Sequence, residues 1–390
     1  MLSARSSLPF TEQNVDDIIF QKIIAQRGVV SLEARTYELT ERFYVPPSVI
    51  IHFPLGAKLS MKNDASIVWD GGIQAHSRQH IFDGNLVNGS YARIGLSPYK
   101  FSVIGKPQID WASPYWFGAR GDGVSDDTIA LFCAQYLGGR QYLPSGQYAI
   151  SRSLHLRQAN QVLFGDGPAS VIRAMANNIG QVIGLRGDPP TDASAQPMRY
   201  LAGATVMDLA IDGKNAENTN GIGGSFCRNC NIQNVAMQNI GRKGITLQYW
   251  CKGNTVSDIR ITSALQEQGG TTAALSIEGQ RSNLNFSLDG GTSRTADIMG
   301  WDCVDNELTR IEILRTTYRY LLITRAREND FSEISFGPIP GTRSDILLGP
   351  FAENNSLSNI ARHGSISVCT PPPSNHITPA PGASLAVIPC

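Results

Sequence analysis

The sequence predicts an all-β solenoid, a parallel β-helix, on three observations. Six short segments superimpose at intervals of 20 to 30 residues, cysteines recur in one column of that alignment, and every unit carries two period-2 apolar strips. The segments are Cys230-Asn-Ile-Gln-Asn-Val235, Asn254-Thr-Val-Ser-Asp-Ile259, Asn283-Leu-Asn-Phe-Ser-Leu288, Asn306-Glu-Leu-Thr-Arg-Ile311, Asn329-Asp-Phe-Ser-Glu-Ile334 and Asn355-Ser-Leu-Ser-Asn-Ile360. Ala204 to Leu209 is a weaker seventh. A repeat of this length with strand-like apolar residues marks stacked coils rather than helix pairs.

Each repeat explains one rung. Leu308, Ile311 and Ile313, or Phe331, Ile334 and Phe336, alternate with polar residues, as a strand with one buried face requires. A second strip precedes the next Asn, as in Leu275 and Ile277 or Leu321 and Ile323. The recurring Asn suits a tight turn and can hydrogen-bond the Asn of the coil above. Cys227, Cys251 and Cys303 sit three residues before the aligned Asn position, and Cys230 occupies it. Such a column reads as small buried apolar residues. Cys227-x-x-Cys230 has no second pair at matching spacing, so no metal is expected, and no cofactor.

An older duplication runs upstream at an offset of 111 residues. Asp16 matches Asp127, Ile18 matches Ile129, Gly28 matches Gly139, Tyr37 matches Tyr148 and Leu39 matches Ile150. Each copy predicts a short capping helix, over 14–27 and 125–138, opening on Asn14 or Ser125 and ending at Gly28 or Gly139. A first coil follows each, with Tyr37 and Tyr148 as packing residues. Residues 60–115 read as turns and short strands, and His76 and His80 as loop residues. Three divisions result: 1–115, with the first helix, strands and a loop region; 116–364, the main β-helix; and 365–390, a Pro-rich arm. No repeat is visible after about residue 362.

Trp116-Phe-Gly-Ala-Arg-Gly-Asp-Gly-Val-Ser-Asp-Asp-Thr128 resembles the opening motif of the pectate lyase superfamily, which includes phage tailspikes and other polysaccharide depolymerases. Tyr142-Leu-Pro-Ser-Gly-Gln-Tyr148 is similar to the strand and turn that follow it, and 107–116 to its approach. The resemblance is dense over 107–172. It implies a right-handed, single-stranded parallel β-helix, a bacterial surface polysaccharide as partner, a homotrimer, and a place in a virion or outside the cell. The motif builds the capped end of the fold, so Asp122, Asp126 and Asp127 are expected in turns and caps.

Composition sets limits. Lys and Arg total 33 and Asp and Glu total 33, which argues against nucleic acid and against electrostatic membrane association. No apolar stretch of transmembrane length is present, and 1–7 lacks the apolar core of a signal peptide.

Outward residues in one column of successive coils become neighbours. Counted back from the Asn position, Tyr249, Glu278, Trp301 and Thr324 share one column, and Phe226, Trp250, Gly279, Asp302 and Arg325 the next. Aromatic faces beside carboxylates and a guanidinium suit sugars. Glu278 as general acid, desolvated by Trp301, and Asp302 as base or nucleophile would form a glycosidase pair on consecutive coils, with Tyr249, Trp250, Trp301 and Arg325 holding substrate. Asp258 with Glu312 is the rival pair, although Asp208, Asn234, Asp258, Arg310 and Glu333 also fit a cross-strand ladder. Glu267, in the long segment between Asn254 and Asn283, is a further candidate. The expected function is hydrolysis of the polysaccharide. β-Elimination, with Arg242-Lys243 as the cationic element, and a non-catalytic receptor-binding spike remain the alternatives.

Overall fold

A computed structural model describes residues 14–84, 86–88, 99–177, 179–188, 199–264, 273–279, 284–287, 293–296, 303–316, 319–324, 326–337, 345–349, 352–362, 365–369 and 374–388. The chain divides into two compact units, one of residues up to 118 with 133–138, the other of 119–132 with 139 onward.

The first unit is itself a small parallel β-helix: the coil expected after the first helix continues through residues 60–105, where turns and short strands were expected. Three parallel sheets stack coil on coil: Gly28–Ser31, Val49–His52 and Gly72–Gln74; Thr36–Leu39, Lys58–Met61 and Phe82–Asp83; Arg42–Val45, Ser66–Trp69 and Val103–Gly105. Phe53, Trp69 and Phe82 fill its centre, with ring centroids 5.5–6.1 Å apart. The strands hold only two to four residues each, too few for an alternating pattern to stand out.

Helix α1 (Val15–Ile24) lies on the first coil of this unit, where Phe20 meets Phe43 edge-on at 5.0 Å. Asn14 caps it, accepting from Asp16 N at 2.8 Å. It stops at Ala25, short of Gly28, whose φ of +80° instead opens the next strand. Helix α2 (Thr128–Gly138) ends as expected, on left-handed Gly139. It starts three residues later than expected, because Ser125 belongs to the strand Asp122–Asp126.

The duplicated halves repeat their polar contacts. Asp17 accepts from the backbone N–H and hydroxyl of Thr40. The equivalent Thr128 hydroxyl accepts from Ser151 N, and the Ser151 hydroxyl donates to Asp126. Tyr37 and Tyr148 are both buried. Asp122 accepts from Ser125 N and Val124 N, which holds its pKa down to about 2. Asp127 accepts from the N–H groups of Arg120 and Gly121. These carboxylates are occupied in turns.

The second unit is the long stack. Among the described residues, a twelve-stranded sheet from Asp122 to Pro379 and a nine-stranded sheet from Leu154 to Ile388 run coil on coil, all parallel. Buried Asn254, Asn306, Asn329 and Asn355 form one row with Asn375. Each Nδ2 donates to the Oδ1 of the next at 2.8–2.9 Å. Cys230 takes the first place, its N–H donating to Asn254 Oδ1 at 3.0 Å. The cysteine column is equally real: Cys227, Cys251 and Cys303 are fully buried, with Cys227 and Cys251 sulfurs 3.4 Å apart.

Two sequence expectations fail here. The Asn283 segment is no rung. Thr255–Ile261 pairs directly with Glu307–Ile313, and Leu284–Ser287 pairs antiparallel with Ser293–Ala296 as a hairpin. Alternating Leu284 and Phe286 suit a hairpin strand as well as a coil. The stack also does not stop near 362. His376–Pro379 joins the twelve-stranded sheet and Ser384–Ile388 the nine-stranded one, where a Pro-rich arm was expected. Asn375 carries that rung, hidden because proline surrounds it.

Candidate active site on the nine-stranded sheet

The outer face of the nine-stranded sheet carries a polar cluster. Strand register sets its rows. His155, Gly184, Gly223, Thr246 and Ser276 are in register, and so are Arg186, Ser225, Gln248, Glu278 and Thr324. Glycines make the floor of the first row: a Cβ on Gly184 would lie 2.4 Å from His155 Cδ2, and one on Gly223 3.0 Å from the Gln181 amide carbon. Thr246 and Ser276 hydroxyls hydrogen-bond across coils at 3.0 Å.

Glu278 ends its strand and is ion-paired through Oε1 with Lys243 Nζ. The Lys243 side chain is 7% exposed and that of Glu278 21%, so the carboxylate presents its remaining edge to solvent. An ammonium held out of water has nowhere better to place its charge, which fixes the pair in one geometry. Beyond the strand ends the chain turns through left-handed residues: Phe226 at φ +50°, Tyr249 at +51° and Trp250 at +54°. Phe226 and Tyr249 stack at 5.9 Å and 13°. Burial, and then the Glu278 charge, push the Tyr249 phenol above its usual pKa, while Arg186 opposes the shift. Burial pulls Arg186 down, helped by Arg157. Arg186 Nε is buried without a hydrogen-bond partner.

This geometry differs from the columns drawn by counting back from Asn. Glu278 stands in register with Gln248, not Tyr249, and Phe226 stacks on Tyr249, not beside Trp250. The 283 rung, on which the pairing of Glu278 with Asp302 across consecutive coils was based, does not exist. Asp302, Trp301, Arg325 and Glu267 lie outside the described residues. Sequence reasoning missed Arg186 and undervalued Lys243. Arg186 lies one coil before the first aligned repeat, and only the strand register brings it into the row.

The rival pair is otherwise engaged. Arg310 grips Asp258 with two bonds, 2.6 and 2.9 Å, and Arg260 meets Glu312 at 3.2 Å. Asn234 donates to Asp208 at 2.7 Å. The Arg310 guanidinium holds Asp258 below the usual carboxylate range. This strip is the cross-strand ladder, in which Asp208, Asn234, Asp258, Arg310 and Glu333 each turn the chain with a left-handed φ of 51–57°.

His155 makes the site sensitive to acid. Burial, with Arg186 and Arg157 nearby, lowers its pKa from 6.5 to about 3. The unfolded chain therefore binds this proton first as pH falls. Stability present above about pH 6.5 declines down to about pH 3, by on the order of a few kcal/mol. His155→Gln is expected to flatten that part of the stability–pH curve, measured by urea unfolding at stepped pH. An unchanged slope would show that other groups set it.

Stacked parallel coils with an internal Asn row and long insertions at strand ends define a parallel β-helix protein. Residues 116–306 match the family model described as rhamnogalacturonase A/epimerase, pectate lyase-like. That match supports a pectate lyase-type β-helix superfamily for the stretch. No curated protein matches the chain. Among solved structures the fold is similar to ORF18 of Geobacillus virus E2, at 13% identity and TM-score 0.33, covering 69% of this chain and 57% of that one. It is similar to PfbA, a surface adhesin of Streptococcus pneumoniae, at 16% and 0.38, covering 69% and 64%. The enzymatically active domain of tailspike protein 2 of bacteriophage CBA120 gives 12% and 0.34, covering 74% and 46%. The chain thus spans less than two thirds of each of these three proteins.

Proposed function

We propose that this protein binds an extracellular polysaccharide across the row from Arg186 to Thr324 and cleaves it at Glu278. Five parallel strands span about 19 Å at ~4.8 Å per step, a length that suits several sugar residues. The observation that carries the reading is the Glu278–Lys243 pair beside the Phe226–Tyr249 stack. A carboxylate already paired with an ammonium is a proton acceptor, so Glu278 serves as base rather than as the acid expected from sequence. Tyr249, with its pKa raised, keeps its proton and can give it up to a leaving oxygen. Arg186 supplies positive charge in the same row for an acidic sugar.

These groups favour β-elimination on a uronate-containing glycan. Glu278 takes the proton α to the uronate carboxylate. The electron pair forms the carbon–carbon double bond as the glycosidic C–O bond breaks, and the phenol protonates the departing oxygen. Hydrolysis, with Asp302 as the partner carboxylate, is the second reading. The products decide. Elimination yields an unsaturated, ultraviolet-absorbing sugar, hydrolysis only new reducing ends, and a binding spike neither. A homotrimer carried on a virion or cell surface completes the proposal, and a stable monomer in light scattering would remove the trimer. Among the described residues no helix is long and apolar enough to cross a membrane.

A further inference from the structure

The first unit carries an open groove of about 710 Å³, lined by Gln74, Gln108, Asp110, Trp111 and Trp116. None of these residues belongs to the Glu278 row. The volume falls within the range of small-ligand sites.

The groove is built, not incidental. Its floor is the last coil of the first unit, where Gly72 bridges to Gln108 and Gln108 N donates to Gly71 O at 3.0 Å. Trp116 is buried, and its indole N–H donates to His76 O at 3.1 Å. Ser113 donates its hydroxyl to Ser77 O at 2.5 Å, fixing the strand of chain between the two indoles. Trp111 leans on Trp116, with centroids 5.5 Å apart and planes at 35°. Trp111 is half-buried, while Gln74, Gln108 and Asp110 are exposed. The groove therefore presents a rigid indole flanked by the Gln74 carboxamide, the Gln108 amide oxygen, whose Nε2 donates to Pro47 O at 3.3 Å, and one carboxylate.

That combination selects a ligand class. An indole face packs against the C–H face of a pyranose, and amides and a carboxylate take hydroxyl donors and acceptors in its plane. No lining residue is basic, so the lining itself brings no cation to a phosphate, sulfate or uronate. We infer that this groove is a second glycan subsite, specific for neutral sugars, in the N-terminal unit.

The test uses the full-length chain with Glu278→Gln, to suppress turnover, on a printed array of bacterial capsule and O-chain oligosaccharides, both neutral and uronate-containing. Trp111→Ala in that background is expected to weaken binding to neutral glycans by about tenfold or more and to spare the uronate-containing spots. Gln74→Ala, at an exposed position, provides the same loss in smaller measure if the tryptophan variant does not fold. Trp111→Phe should restore part of it. Absence of binding to any neutral glycan, or neutral binding untouched by both Trp111→Ala and Gln74→Ala, overturns the subsite. The proposal at Glu278 stands or falls separately, on cleavage.

Discussion

Glu278→Gln is expected to lower the rate of depolymerisation by about 10²–10⁴-fold, the usual contribution of a positioned acid or base. Glutamine keeps the shape and an acceptor oxygen for Lys243 but cannot take the proton. The expected signature is a fall in kcat with little change in KM, because glycan contacts along the row remain. Removing the charge also leaves Lys243, only 7% exposed, without its counter-ion. A melting curve must therefore accompany the rate. Lys243→Met is the harsher partner variant, since it strands a carboxylate. Asp258→Asn and Glu312→Gln are the controls, because both carboxylates are tied to arginines in the exposed ladder. Full activity in Glu278→Gln, with the controls also active, removes the site whichever reaction the products report.

Asn306→Ala is expected to cost about 3–5 kcal/mol of stability, read as a lower urea midpoint at unchanged slope. Asn306 is 1% exposed and makes four contacts. Its Nδ2 donates to Cys251 O and Asn329 Oδ1, and its Oδ1 accepts from Asn254 N and Asn254 Nδ2. Alanine orphans the buried Asn254 N–H, at about 1–3 kcal/mol if no water enters, and strips one bond each from Asn254 Nδ2, Cys251 O and Asn329 Oδ1, which keep Cys227 O, Val304 N and Asn306 N as partners. Arg260→Ala gives the contrast. Its partner Glu312 and Arg260 itself are 43% and 61% exposed, and such a pair is worth at most about 1 kcal/mol. If the two variants lose equal stability, the Asn row is filling space rather than holding the coils.

The same residues explain how far the sequence could be read. The stack was legible because Asn and Cys occupy fixed places in a tight turn, and each tolerates no other spacing from the strand that follows. The site was less so, for a reason of one residue. Between Ser225 and Cys227 there is one left-handed residue, Phe226; between Gln248 and Cys251 there are two, Tyr249 and Trp250. Counting back from Asn across that extra residue shifts every outward column by one place, which flips neighbours on a pleated surface. The later coils of the first unit were hidden because its two- to four-residue strands carry little alternation. The Lys243–Glu278 pair could not be foreseen, as its partners are 35 residues apart and meet only once the coils stack.

The hairpin at Leu284–Ser287 and Ser293–Ala296 interrupts a coil without disturbing the row beneath it, since Asn254 still bonds Asn306 at 2.8 Å across 52 residues of chain. Scaffold and ornament are thus mechanically uncoupled at that point. A segment of different length or composition grafted there is expected to leave the thermal tolerance of the trunk as it was.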